Sequence, residues 1–473
     1  MTTLRRSPAA FLLCVTSAAP ALAQGPLGPA VRPFVAESAA VIVLRHARVV
    51  DGTGAPARSD QTVVIRDGRI AAVGPDRLVT APAGARVIDL SGKSLIPGLI
   101  DLHAHTYFMS SAGLSQMAVS APRLYLAGGI TTVRTAGAQI PYAELNMKQD
   151  IDRGLAPGPR MLVTGPYLNG PGAGPGQQRR LTTEAEARRV VSYWADEGAT
   201  WLKFSGGVSR AVLGAAIDEA HRRGMRVTGH LCSVTFTEAA RLGIDNLEHG
   251  FITNSDFVPG KQPDLCPADN MRHQVEVDPE GPLADSVIAT LLERGVALTS
   301  TLSVYELFVA GRATVPDLAL EMLAPAARQA VVDDLASTNG GAGFVPDELF
   351  SRMLRFERRF VALGGLLAAG VDPWGNGSLP GFGDLRNYEL LVEAGFTPET
   401  AVAIVTGNGA KVLGMADETG TITVGKRADL VVLDGDPTAR ASDIRRVALV
   451  FRDGIGYDPA RLLESVKGKV GLQ

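Results

Sequence analysis

Cysteine is almost missing from this chain: three in 473 residues. A chain of this length with 46% hydrophobic and 20% charged residues can bury a large core without disulfide or metal staples. A charge surplus is missing too. The 46 basic and 49 acidic side chains leave a net charge of -3, so there is no basic excess to displace counterions from phosphates, and a nucleic-acid partner is excluded. There is no acidic solvating tail either. Past the first two dozen residues no apolar run reaches the roughly 18 residues of a membrane span. No G-x-G-x-x-G opens a helix, which weakens the case for a doubly wound, dinucleotide-binding sheet.

The N-terminus is a targeting segment by its pattern. Arg5 and Arg6 precede a short apolar stretch from Phe11 to Ala19, and Ala21-Leu22-Ala23 has the small-x-small form of a cleavage site. Residues 1–23 are therefore expected to be a secretory signal peptide, by the general or the twin-arginine route, leaving a soluble protein in the periplasm or outside the cell. Leu13 before Cys14 is too bulky for a lipoprotein site. Cys232 and Cys266 then remain, an even pair in an oxidising compartment. A disulfide between them is the expectation, with two unrelated thiols as the alternative.

Residues 24–38 read as a Pro/Gly linker. From 39 to 96 short β-branched runs at 41–50, 61–66, 69–73 and 86–90 alternate with turn residues, and Asp67-Gly68 is a hairpin signal. From 97 to 414 short apolar runs at 98–102, 130–134, 160–164, 201–204, 226–229, 246–247, 297–301 and 365–371 alternate with helical patterns, among them one at 397–413. From 415 to 473 the short-strand style returns, at 421–424, 428–433 and 448–452. Eight strands alternating with helices predict an α/β fold, a (β/α)8 TIM barrel, with a small β-sandwich built from both chain ends. Residues 251–282 form a polar, Pro-rich insertion after the sixth strand.

The chemistry gathers at the strand ends. Pro97-Gly98-Leu99-Ile100-Asp101-Leu102-His103-Ala104-His105 is a buried run ending in two histidines at i and i+2, which a strand places on one face. His230 ends the fifth run, His249 the sixth and Asp372 the eighth. Thus four of seven histidines fall at three strand ends, where catalytic groups of such barrels sit. Lys203 lies between Trp201, Leu202 and Phe204, and it is one of only eight lysines. Burial there favours the neutral amine. A neutral amine can add carbon dioxide to give a carbamate, whose two oxygens can bridge two metals.

These residues resemble the amidohydrolase superfamily, in its prolidase-like and imidazolonepropionase-like branch. The resemblance spans the mature chain: Val49-Val50-Asp51-Gly52-Thr53-Gly54, the P-G-L-I-D-L-H-A-H run, Ser205-Gly206-Gly207, Leu247-Glu248-His249-Gly250, Asn408-Gly409-Ala410-Lys411-Val412-Leu413-Gly414 and Gly425-Lys426-Arg427-Ala428-Asp429-Leu430. It implies two divalent metals, zinc by ligand type. His103, His105 and Asp372 would hold the inner ion, His230 and His249 the outer one, and carbamylated Lys203 would bridge them. A hydroxide shared by the metals would attack the substrate carbonyl, with Asp372 as proton carrier and Glu248 as second choice. Imidazolonepropionase-like members proper are mononuclear and lack the lysine. One departure stands out: strand two ends in Arg134-Thr135 where the branch has Arg-Asp.

The substrate is read less sharply. Loops after the strands offer Tyr107, Arg134, Tyr167, Arg210, Trp374 and Arg386, and an arginine among them could clamp a carboxylate. By resemblance the leading activity is hydrolysis of a C–N amide bond in a dipeptide or N-acyl amino acid. A cyclic amidase or lactonase is the alternative, and a non-catalytic binding protein the remote one. A small-molecule or dipeptide substrate and a homo-oligomer are expected.

Overall fold

The computed structural model describes residues 27–110, 113–171 and 178–472; the signal segment 1–23 lies outside the described residues. Eight parallel strands run through the chain: β1 (Leu99–Ala104), β2 (Ile130–Thr135), β3 (Arg160–Leu162), β4 (Trp201–Phe204), β5 (Arg226–Gly229), β6 (Asn246–Glu248), β7 (Ala297–Ser300) and β8 (Leu367–Ala369). Register pairing joins β1 to β2 to β3 and β4 through to β8. Backbone bonds join the two groups. The Thr200 N–H donates to the Val163 carbonyl at 3.1 Å between β3 and β4, and the Asp372 N–H donates to the His103 carbonyl at 2.9 Å between β8 and β1. The result is a TIM-barrel-like α/β fold. β1, β2 and β4 are buried along their whole length, which is why they read as continuous rather than alternating apolar runs.

The intervening helices start where the sequence supplies caps. Thr183 accepts the Glu186 N–H at the start of Glu184–Asp196, and Ser209 accepts the Val212 N–H at the start of Arg210–Arg222. Thr235 and Glu238 form a reciprocal capping box on Phe236–Leu242. Each helix runs back along the barrel and returns the chain to the next strand pointing the same way. All strand C-termini therefore gather at one end.

Both chain ends meet in one nine-stranded mixed sheet. Its N-terminal part is a meander of Val41–Val49, Arg58–Arg66 and Arg69–Pro75. Asp67 and Gly68 turn the hairpin with φ of 50° and 74°, the left-handed pair that a two-residue turn needs. Ser94–Pro97 pairs with both Val41–Val49 and Leu430–Leu433, and then passes through Gly98 into β1. A Cβ on Gly98 would lie 2.1 Å from Thr131, so only glycine fits that crossing.

Three expectations change. The stretch 24–38 is not all linker: Val35–Glu37 pairs antiparallel with Ile455–Tyr457, and Val31 and Phe34 are buried. Proline at the first helical positions of the short helix Arg32–Phe34 serves as a turn former there, not a spacer. No strand forms at 421–424, where Gly420 and Gly425 take φ of 84° and 91° and turn the backbone away from a ladder. The helix at 397–413 is interrupted by a π turn at Ile404–Asn408, beside which the Thr406 hydroxyl donates to the Val402 carbonyl at 2.6 Å.

Candidate metal centre

The ends of β1, β4, β5, β6 and β8 bring His103, His105, Lys203, His230, His249 and Asp372 to one place. The centre of the group is the Asp372 carboxylate. It lies 2.9 Å from His105 Nε2, 3.6 Å from His103 Nε2 and 3.8 Å from His249 Nε2. His103, His249 and Asp372 each offer a ligand atom within 4.8 Å of the others. The His103 ring stands 5.3 Å from His105 and 4.6 Å from His249, and His230 stands 5.4 Å from His249. Lys203 Nζ is 3.5 Å from His103 Nε2. Asp372 has φ of 55°, a left-handed backbone that carboxylate residues tolerate better than most. A Cβ at Gly370 would come within 2.4 Å of the His103 nitrogen, so glycine is what lets β8 approach β1 this closely.

Burial sets the protonation states. It drives the His103 and His230 imidazoles well below their ordinary range, with Lys203 adding repulsion, and drives His249 down to about 4. Burial also lowers Lys203 to about 8. For Asp372 burial acts upward, but His103, His105 and His249 together hold the carboxyl well below its usual value. Three neutral imidazoles, an ionised carboxylate and a softened amine are the donor set that a divalent ion of the zinc type takes.

Hydrogen bonds behind the cluster fix which nitrogen is free. His103 Nδ1 donates to Glu248 Oε2 at 2.8 Å, and His249 Nδ1 meets Thr301 Oγ1 at 2.7 Å. Both rings thereby turn Nε2 toward Asp372. Glu248 is fully buried. Its other oxygen takes Arg134 and the Thr228 hydroxyl, while Arg134 also donates to the Leu102 carbonyl and, at 2.7 Å, to Asn246 Oδ1. Glu248 therefore has no free oxygen with which to act as a base.

The substrate candidates separate into three groups. Tyr107 and Tyr167 stand at the centre: their hydroxyls are 2.7 Å apart, and Tyr167 Oη is 3.1 Å from His105 Nε2. Trp374 lines a cavity that opens on Asp372. The three arginines are each engaged by acids of the chain. Arg134 is sealed beneath the cluster by Glu248 and Asn246. Arg210 caps its own helix onto Asp264 at 2.8 and 3.0 Å and pairs with Glu238. Arg386 is held by Glu306, Glu389 and Glu393. In each case an acid from a distant segment takes the guanidinium. Sequence reading missed Thr301, Tyr305 and Phe308. Thr301 directly follows β7, as His230 and His249 directly follow β5 and β6, and that was the available signal.

Cys232 and Cys266 are joined as a disulfide with Cα atoms 4.9 Å apart. It ties the insertion after β6 to the segment that follows His230.

The Amidohydrolase family profile matches residues 94–340 and 362–456. Similar proteins include the imidazolonepropionase of Mycolicibacterium smegmatis, 27% identical over 422 residues that cover 84% of this chain and 90% of that protein. The enamidase of Eubacterium barkeri is 24% identical over 435 residues, covering 87% and 94%. Among solved structures, a candidate prolidase from Bifidobacterium longum superposes with a TM-score of 0.65 at 27% identity, over 92% of this chain and 100% of that one. The profile match begins at the strand that leads into β1 and ends at the last strands of the mixed sheet, and the chain belongs to the amidohydrolase family.

Proposed function

We propose that this protein hydrolyses a C–N amide bond in a dipeptide or N-acyl amino acid, with His103, His105, Lys203, His230, His249 and Asp372 as ligands of two divalent ions, zinc by donor type. The observation that carries the reading is the Asp372 carboxylate within 4 Å of three imidazole nitrogens at the C-terminal ends of parallel strands. Divalent ions bound there would supply an activated water and polarise the substrate carbonyl. Asp372, ionised and central, is the group to take the water's proton and return it to the leaving amine. Lys203, with its amine lowered to about 8, is suited to carbamylation and hence to bridging. Glu248 and Thr301 hold His103 and His249 in the tautomers that ligation needs.

The eight strands are read as a (β/α)8 barrel, and the nine-stranded sheet as the β-sandwich beside it. Export to the periplasm or medium rests on the pattern of residues 1–23 and fits the disulfide, which persists in oxidising compartments. A cyclic amidase or lactonase is the second reading, favoured by the likeness to an imidazolonepropionase over most of both chains; Lys203 speaks for the first. The test is a metal count on the purified protein, followed by a screen of dipeptides, N-acyl amino acids, cyclic amides and lactones with zinc-reconstituted enzyme. Two ions per chain and turnover of linear amides support the proposal. One ion and turnover of cyclic substrates alone would replace it with the second reading.

A further inference from the structure

We infer that the substrate side chain flanking the scissile bond is uncharged and aromatic or bulky apolar, and that it seats in the cavity between Asp372 and Phe344. This rests on the C–N hydrolase reading and names its substrate class.

The cavity has a volume of about 290 Å³ and opens on Asp372 at its inner end. A dry cavity of about 150 Å³ already admits benzene, so a phenyl group with its connecting atoms has room. The walls are aromatic. Phe308 stacks near-parallel on Trp374, 6.2 Å between centroids and 23° between planes, and Phe344 packs on the Phe308 ring at 4.3 Å. Tyr305, Ile252, Thr253, Met271 and Val304 line the rest. Trp374 is fixed close to Asp372: its N–H donates to the Asp372 carbonyl at 3.0 Å, and its own carbonyl accepts the Met109 N–H at 2.8 Å. Phe344 is 50% exposed, a large apolar ring left against water at the edge of an aromatic row. A ligand ring lying on Phe308 and Trp374 would extend that row and cover it.

Charge points the same way. Among the described residues no lysine or arginine lines the cavity, and the one charged lining residue is Asp372. The arginines that sequence position offered for a substrate carboxylate are all engaged by acids of the chain. A carboxylate seated against the outer rings would lose its water with no basic side chain among the described lining residues, and an ammonium, though attracted to ring faces, would lose its water with its nearest acid, Asp372, already facing the imidazoles. An uncharged aromatic group pays neither cost.

The test uses zinc-reconstituted enzyme and a matched series of N-acetyl amino acids that share one scissile bond: phenylalanine, leucine, glycine, aspartate and lysine derivatives. The expected result is a kcat/KM at least about 10-fold higher for phenylalanine than for glycine, and lower still for aspartate and lysine. Phe344→Ala should raise KM for the phenylalanine derivative by a larger factor than for the glycine derivative. A preference for aspartate or lysine would overturn the inference. A binding readout separates it from the reading it rests on. Benzyl alcohol should quench tryptophan fluorescence in the unaltered protein and not in Trp374→Phe, and acetate should quench neither. Quenching without turnover of any amide would sink the hydrolase reading and keep the cavity assignment; absence of quenching would overturn the assignment whatever the turnover.

Discussion

One carboxylate serves two masters here: Glu248 takes His103 Nδ1–H on one oxygen, at 2.8 Å, and Arg134 on the other. All three side chains are fully or almost fully buried. Arg134 is thus the anchor for the carboxylate that aims the His103 imidazole at Asp372. Glu248→Gln keeps the shape and removes the charge. Divalent-ion affinity, measured by chelator competition, should fall about 10–100-fold. Melting should also move down, because Arg134 is left as a buried cation without its counter-ion. Unchanged metal affinity would leave Glu248 with a structural role alone.

Asp372→Asn should fold, since the backbone bond from Asp372 to His103 does not use the side chain. The amide cannot accept a proton, so turnover should drop by about 10²–10⁴-fold while most of the metal is retained. Stopped-time product assays with metal analysis of the same sample check both halves. Near-normal rates would move the proton carrier elsewhere, and not to Glu248, whose oxygens are already taken.

The histidine and carboxylate cluster was legible from sequence because its signal is local. His103 and His105 sit at i and i+2 at the end of an apolar run, and His230, His249 and Asp372 each end such a run. The arginines were not legible. Arg134 lies at the end of a strand and Arg210 and Arg386 lie beyond one, as a substrate clamp would, but the acids that claim them, Glu248, Asp264 and Glu306, lie 114, 54 and 80 residues away. Long-range pairing of that kind leaves no spacing to read. Phe308 and Phe344 escaped for a similar reason: they lie outside the main helical pattern and meet only in space. At the other end of the chain, Pro and Gly around Val31 and Phe34 suggested a linker, and the composition hid three residues that add a strand to the sheet edge.

Lys203→Ala should remove most activity, and short carboxylic acids added to the variant should restore part of it by taking the place of the carbamate. Lys203 is wholly enclosed by Trp201, Leu202 and Phe204 in sequence and lies beside His103, so a small acid has a defined space to fill. Full activity and full metal content without rescue would exclude a bridging lysine.

Glu357 gives a pH-dependent contribution to stability. It is buried, with one oxygen lacking a partner, and burial raises its carboxyl to about 8 against a smaller opposing hydrogen bond from Ser300. The folded protein therefore holds a proton that the unfolded chain releases near 4.5. Stability from this group is fully present below that value and is lost as pH rises through about 8. The size of the loss is on the order of a few kcal/mol. Glu357→Gln, neutral at every pH, should flatten the decline between pH 5 and 8 in urea titrations. An unchanged slope in the variant would remove Glu357 as its source.

The disulfide should matter to the substrate more than to the metal. Cys232 and Cys266 are 34 residues apart in sequence, and a closed loop of that size is worth roughly 3–4 kcal/mol by chain entropy. The insertion is also fastened independently of it. Asp264 takes Arg210, the Lys261 ammonium donates to the Ser233 carbonyl at 2.6 Å, and Asp256 takes the Thr237 hydroxyl. Cys232→Ser with Cys266→Ser should therefore lower stability by less than the full loop value, while the ligand histidines keep their places. The insertion begins beside Ile252 and Thr253, which line the cavity on Asp372, so loosening it should raise KM with little change in metal content. Thiol counting on the denatured, unreduced protein gives the starting point: no free thiol where the bond has formed, two per mature chain where it has not. If the double serine variant lost metal as readily as substrate affinity, the bond would be supporting the centre itself rather than the wall of its cavity.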